Sequence, residues 1–444
     1  MDAVPPARRL LALVVALVLI GIPAGVLRAL CVGRSCRPAA GAPARVPFCG
    51  LPPALRAAIA AGYREGRSPE VLLVTPRPAV AGATDPLGGL RPVWPSVQPP
   101  PDGRVPLVLA GAGLRRSAAI PSGTRLDAVA PTVAAVLGFH RPHPEVRSGR
   151  PVPGVASGAG SGLVVLVVWK GVGSADLRRA PDDWPFLRSL LRTGAGTLRA
   201  EVGSVPLDPA AVLTTIGTGG LPAQHGITGT LLRNDRGRLT RAFGPDAPLP
   251  VIATLAEDLD AALGERPLVG LVAPDPSDRG IVGGAWYVEH DRDLRALGGD
   301  PVIGTERLLR AGFGADAVPD VLAVVLSGSV RAMDRTTGRV AALAGAASEG
   351  RATLVVTATG SATAGARLRT ASEIAAAVDA AADLSRPVVE AAGVGGLFLD
   401  QDVLLDEGVS GEIAVRALLG LPGPGGRLAA DAFQGFAVSF GRFC

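Results

Sequence analysis

Lys170 is the one lysine in a chain of 444 residues whose 44 basic residues are otherwise arginine. It follows Leu163-Val164-Val165-Leu166-Val167-Val168-Trp169 and precedes Gly171-Val172-Gly173. The apolar, β-branched run reads as a parallel strand buried on both faces, and the chemistry of open α/β sheets collects at the carboxyl ends of such strands. Lys170 is therefore either a rim lysine in a loop or a fixed cation standing where a metal ion would otherwise sit. Asp208, in Leu207-Asp208-Pro209-Ala210, is the leading catalytic carboxylate. The same residues make a helix start, because Asp is favoured at the N-cap and Pro at the first helical position. The histidines are His140, His143, His225 and His290. His140-Arg141-Pro142-His143 reads as a solvent-exposed pair after a helix. Glu289-His290-Asp291-Arg292-Asp293 is either a source of acid–base groups and ligands or a solvated rim loop. Asp400-Gln401-Asp402 and Asp406-Glu407 lack calcium-loop spacing and read as turn and surface carboxylates.

The elements that must position these residues follow a strand–helix–strand rhythm, which implies right-handed crossovers in a parallel sheet. Apolar runs place strands at residues 71–75, 105–110, 163–168, 268–272, 321–326 and 353–357. Helical periodicity covers 52–66, 126–137 with a kink allowed at Pro131, 184–192, 210–216, 250–263, 333–347 and 372–384. The connection from 193 through Pro206-Leu207-Asp208-Pro209 reads as loop. Residues 76–101 are Pro/Gly-rich and irregular.

Residues 10–27 carry no charge and, at about 1.5 Å per residue, reach about 27 Å, enough for a bilayer core. Arg8-Arg9 would also suit a signal peptide, but Val26-Leu27-Arg28-Ala29-Leu30 offers no small-x-small cleavage site, so an uncleaved anchor is favoured. Arginines on both sides of the span leave its orientation open. Cys31, Cys36, Cys49 and Cys444 form an even set, as in chains exposed to an oxidising compartment, and Cys49 and Cys444 would pair sensibly. The net charge is +5, but the arginines are scattered singly, which argues against nucleic acid. The chain thus divides into an N-terminal tail (1–9), a transmembrane anchor (10–30), a linker (31–50), a block at 51–150, a second linker (151–162), a main block at 163–365 and a small C-terminal α+β unit (366–444).

Thr215-Ile216-Gly217-Thr218-Gly219-Gly220-Leu221-Pro222-Ala223-Gln224-His225-Gly226-Ile227 resembles the segment after the nucleophile in the alkaline phosphatase superfamily, in its type I phosphodiesterase/nucleotide pyrophosphatase and sulfatase-like branch. Met333-Asp334-Arg335-Thr336-Thr337-Gly338-Arg339-Val340 with Thr353-Leu354-Val355-Val356-Thr357 is similar to that family's late helix and strand. Residues 105–138 resemble its closing strand and helix, yet here they precede the Leu163 strand. The order reads as a circular permutation closed by the 151–162 linker, which a flexible segment permits at low entropic cost. The resemblance implies an alkaline-phosphatase-like, mostly parallel α/β sheet flanked by helices, and a hydrogen-bonding role for His225 in its turn.

It also implies two metal ions held by carboxylates and histidines, and here the chain departs. The first metal-binding Asp is matched by Lys170, and the nucleophile's neighbourhood holds Asp208 without hydroxyl or thiol. Ser327-Gly328-Ser329-Val330 and Thr359-Gly360 stand where an Asp and His and then an Asp-His pair are implied. The reading is a membrane-anchored, extracytoplasmic protein, catalytically degenerate, serving as a binding or scaffold module of the cell envelope. Its partners are the membrane, through residues 10–30, and an anionic ligand at Lys170 or an envelope protein. No metal or cofactor is expected. The alternative is a hydrolase of phosphate or sulfate esters with a rebuilt site, Asp208 attacking phosphorus; zinc or another divalent ion would belong only to that alternative.

Overall fold

The computed structural model describes residues 48–74, 103–115, 118–158, 160–283, 294–361, 371–423, 426–427, 431–435 and 437–438. The membrane anchor expected at 10–30, the segment Glu289 to Asp293, and Cys31, Cys36 and Cys444 lie outside these residues. Among the described residues no helix is long and apolar enough to cross a membrane. Cys49 is disulfide-bonded, and the other half of that bond lies outside the described residues.

In chain order the first elements are α1 (Pro53–Gly62), β1 (Val71–Val74), β2 (Arg104–Gly111), α2 (Val129–Leu137), β3 (Leu163–Trp169), α3 (Ser174–Arg179), α4 (Pro185–Thr193) and β4 (Ala195–Glu201). There follow α5 (Pro209–Thr218), α6 (Pro222–His225), the hairpin β5 (Leu231–Arg233) and β6 (Leu239–Arg241), α7 (Leu255–Ala262), β7 (Val269–Ala273), β8 (Leu294–Leu297) and α8 (Pro301–Leu309). Then come β9 (Asp320–Leu326), α9 (Val330–Ala347), β10 (Ala352–Ala358), α10 (Ala371–Ala382), β11 (Val389–Gly393), β12 (Gly396–Leu399), α11 (Gln401–Asp406) and α12 (Glu412–Gly420). The chain closes with the two-residue strands β13 (Pro422–Gly423) and β14 (Gly426–Arg427), then β15 (Asp431–Gln434).

Seven strands form the main sheet in the order β4-β2-β10-β3-β9-β7-β8. From β10 to β8 all pairings are parallel, whereas β2 runs antiparallel to both β10 and β4. The sheet is therefore mixed, with helices on its faces. Every residue of β3 is buried, as are all of β9. This is why both read as continuous apolar runs instead of alternating ones. β2 lies in the same sheet as β3, with β10 between them.

Several expectations need correction. The helix expected at 250–263 begins only at Leu255, because Thr254 accepts the Glu257 N–H while the Glu257 carboxylate accepts the Thr254 N–H, a reciprocal cap that fixes the start. α2 runs unbroken through Pro131, its third residue, where the missing N–H had no intrahelical partner to lose. β4, β8 and the β5–β6 hairpin were not anticipated. The C-terminal unit is not self-contained either. Its four-stranded sheet runs β11-β12-β1-β15, so β1, expected in the 51–150 block of the main core, is an inner strand of the second sheet, antiparallel to β12 and β15. Val71 and Leu73 face the second core and Leu72 and Val74 the first, so one short strand serves both.

Candidate functional site

The end of β3 is held by its neighbours on both sides. The Lys170 N–H donates to Leu326 O of β9 at 2.8 Å, and the Thr359 N–H donates to Trp169 O at 3.0 Å from the β10 side. Gly171 then turns the chain with φ of +74°, and its N–H is taken by Thr359 Oγ1 at 3.0 Å. Trp169 points to one face, where its Nε1 donates to Thr337 of α9 at 2.9 Å. By strand alternation Lys170 points to the other.

There its Nζ meets Asp278 Oδ1 at 2.7 Å. The Asp278 side chain is fully buried and that of Lys170 only 12% exposed. Asp278 lies in the 3-10 segment Pro276–Ile281 that follows β7. Asp275 starts that segment by accepting the Ser277 N–H at 2.9 Å, and is itself held by Arg241 of β6 at 2.8 Å. The segment packs backbone to backbone on α5. A Cβ on Gly280 would lie 2.0 Å from Thr214 Oγ1, and one on Gly217 would lie 2.5 Å from Ile281 O. Glycine at both places is what lets the two elements approach and sets Asp278 against Lys170. Burial pushes the Asp278 carboxyl up to about 6; Lys170 opposes this, the charge of Asp275 adds to it and the Asp275 backbone N–H opposes it.

Asp208 is buried at the start of α5. Its Oδ1 accepts the Ala210 N–H at 2.9 Å and the Thr230 hydroxyl at 2.9 Å, so it caps the helix that Pro209 begins. Burial raises its carboxyl above the ordinary range, while Thr230, the Ala210 N–H and the charge of Lys170 pull it back. Asp208 thus feels the charge of Lys170 without being shown in contact with it, and the direct partner of the lysine is Asp278, which sequence reasoning missed. Asp278 is 108 residues from Lys170 in sequence. The available signal was its position just past the carboxyl end of another parallel strand.

Ser327, Gly328 and Ser329 follow β9 and are exposed, and Ser329 caps α9. Gly360, after β10, has φ of +104°, and a Cβ there would lie 2.8 Å from Leu207 Cδ1. Leu207 is itself 1% exposed, so its side chain fills the space that a longer side chain at 360 would need. Among the described residues no three His, Cys, Asp or Glu side chains converge to hold a metal. The donor set fits a divalent cation poorly, since an ammonium stands between the strand ends and only oxygen, nitrogen or thiolate donors hold such ions.

His225 is fully buried. Its Nδ1 accepts the Ile227 N–H at 3.2 Å and its Nε2 lies 3.1 Å from Thr215 Oγ1. His140 and His143 are exposed, and His143 pairs with Glu145 at 3.2 Å. On the opposite face of the sheet, a cavity of about 230 Å³ opens between β7, β9, α8 and α9, lined by Val272, Leu326, Ser327, Pro301, Met333 and Thr336 among others.

No family model matches this chain, and no curated protein matches it. Among solved structures, it is similar to the alkaline phosphatase PafA, with TM-score 0.42 and 15% identity, over 57% of this chain and 75% of that one. It is also similar to a phosphonoacetate hydrolase from Sinorhizobium meliloti, solved with phosphonoacetate, with TM-score 0.28 and 19% identity, over 41% of this chain and 54% of that one. Both likenesses are distant.

Proposed function

We propose that this protein is an alkaline-phosphatase-like module, circularly permuted and catalytically degenerate, that is anchored by residues 10–30 and works outside the membrane as a binding or scaffold element of the cell envelope. The observation that carries this reading is Lys170 Nζ on Asp278 Oδ1 at 2.7 Å, with Asp208 within the influence of the same charge. An internal cation there is matched to the local carboxylates, and leaves no place for a second cation of higher charge. Leu207 packed against Gly360 supports the same reading from the β10 side. β2 sharing a sheet with β3 supports the permuted order, and the disulfide at Cys49 supports an oxidising compartment. An anionic ligand reaching Lys170 would compete with Asp278 for the ammonium. Phosphate or sulfate is therefore expected to bind weakly, and not at all after Lys170→Ala.

The test is bound metal and turnover together. Purified protein is equilibrated with zinc, manganese and calcium, then assayed on p-nitrophenyl phosphate, bis-p-nitrophenyl phosphate and p-nitrophenyl sulfate. The expected result is no stoichiometric metal and no release above the buffer rate. The hydrolase reading draws on one observation, two buried carboxyls that feel the same lysine, Asp278 in contact with it and Asp208 through its charge. Turnover that falls at least tenfold in Asp208→Ala, with the fold retained, would put that reading first.

A further inference from the structure

The Lys170–Asp278 pair leaves something unfinished. Asp278 Oδ1 takes the lysine Nζ, but Oδ2 is buried and has no hydrogen-bond partner. A carboxylate with one oxygen bare inside the protein is a costly arrangement. It is relieved if that oxygen carries a proton, or if the carboxyl loses an oxygen altogether. Burial and the negative charge of Asp275 favour the uncharged form of Asp278, against the pull of Lys170 and of the Asp275 backbone N–H. Moving one proton within such a buried pair turns ammonium and carboxylate into amine and carboxylic acid. The two reacting groups are then already in contact, held by the end of β3 on one side and by the Gly280 packing on the other. Such pre-alignment in a nearly dry site replaces a very high concentration of reactants.

We propose that Lys170 and Asp278 condense to an intramolecular isopeptide bond, Lys170 Nζ to Asp278 Cγ, with release of one water. The atoms balance without any co-reactant. The ammonium gives one proton to the carboxylate, the resulting amine attacks Cγ, and the tetrahedral carbon expels a hydroxyl that leaves as water with the second nitrogen proton. One N–H stays on the amide, and one of the two carboxyl oxygens, the bare one or its twin, is gone. Asp208, a second buried carboxyl that feels the Lys170 charge, is assigned the transfer of the proton from nitrogen to the leaving oxygen. The product would be a cross-link that ties the end of β3 to the turn after β7 across 108 residues of chain. Like a disulfide it would restrict the unfolded chain, but no reductant would open it.

Because Lys170 is the only lysine, the experiment is unusually clean. The intact mass of the full chain is measured after reduction of its disulfides. The denatured chain is then treated with an amine-reactive ester and cleaved at arginine. The bond predicts a chain lighter than its sequence by the mass of one water, no label on Lys170, and a branched product joining the fragment with Lys170 to the fragment with Asp278. Asp278→Ala should restore the sequence mass and the label. A wild-type chain at full sequence mass with Lys170 labelled overturns the proposal, and this measurement does not depend on whether any variant folds. Asp208→Asn is expected to slow formation of the bond in newly made protein at least tenfold. Formation at the wild-type rate in a variant with an unchanged circular dichroism spectrum would remove Asp208 from the reaction. The readout is a mass, so it can fail without touching the binding-module reading; where the bond has formed the ammonium is consumed, and anion binding at Lys170 then belongs to the unreacted chain alone.

Discussion

His225 shows how a single buried side chain fixes its own chemistry. Its Nδ1 accepts the Ile227 N–H, so the ring proton belongs on Nε2, where it is donated to Thr215 Oγ1. A second proton on Nδ1 would face the Ile227 N–H, and burial drives the ring down to about 3 although the Ala211 backbone opposes this. The folded pKa lies below the unfolded one near 6.5, so the unfolded chain binds more protons between the two values. The stability supplied by a neutral His225 is therefore complete above about pH 6.5 and is lost progressively as pH falls toward 3. One such proton contributes a slope of about 1.4 kcal/mol per pH unit. Urea midpoints measured from pH 7 to pH 4 should fall more steeply for the wild type than for His225→Asn, which keeps an acceptor for the Ile227 N–H but cannot titrate. Equal slopes would mean that the ring is solvated. The hydrogen-bonding role of His225 was an expectation from the resemblance of its turn to the alkaline phosphatase superfamily. The cap role of Asp208 was readable in sequence, because Asp-Pro announces a helix start through local contacts alone. The partner of Lys170 was not, since nothing near residue 170 points to residue 278.

At the scale of elements, the site depends on how closely α5 approaches the 276–281 turn. Thr214 sits on that contact, its hydroxyl donating to Ala210 O at 2.8 Å and facing Gly280. Gly280→Ala is expected to cost about 1–3 kcal/mol through overpacking. Adding Thr214→Ala removes the nearest contact, so the double variant should lose less than the sum of the single ones. Gly217→Ala should not be rescued in this way, because its new methyl would meet the backbone oxygens of Gly280 and Ile281. Chemical denaturation of the four variants checks both statements, and additive losses at 214 and 280 would contradict the packing. Helix and strand existence was legible where the pattern was strong, as in the helical period of α9 and the continuous apolar run of β9. It was not legible in β4, whose burial follows no two-residue alternation. That strand exists because β2 offers an edge to pair with.

Across the whole molecule, Arg233 ties the β5–β6 hairpin to the second sheet. From the β5–β6 hairpin its guanidinium reaches Leu399 O at 2.7 Å and Glu390 at 2.9 Å, and it also pairs with Glu70 just before β1. Leu231 of the same hairpin packs with Ala391 and Phe398 of the second sheet. The guanidinium is nearly buried while both glutamates are partly exposed. Arg233→Ala is therefore expected to cost about 1–3 kcal/mol, toward the low end after solvent screening. The loss should be uneven. Amides of β11 and β12 should exchange faster in the variant while those of β3 and β9 keep their protection. A uniform increase across both sheets would show that they unfold as one unit.

The sequence by itself determined the central strands, the helix after Asp208 and the presence of one lysine at a strand end, because apolar runs, caps and residue type act over a few neighbouring residues. Only the tertiary structure decided what that lysine touches, which sheet β1 belongs to, and that Leu207 fills the space beside Gly360. Those outcomes depend on which segments the sheet order brings together, and on whether the backbones can approach closely enough, as at Gly217 and Gly280, for side chains more than a hundred residues apart to meet.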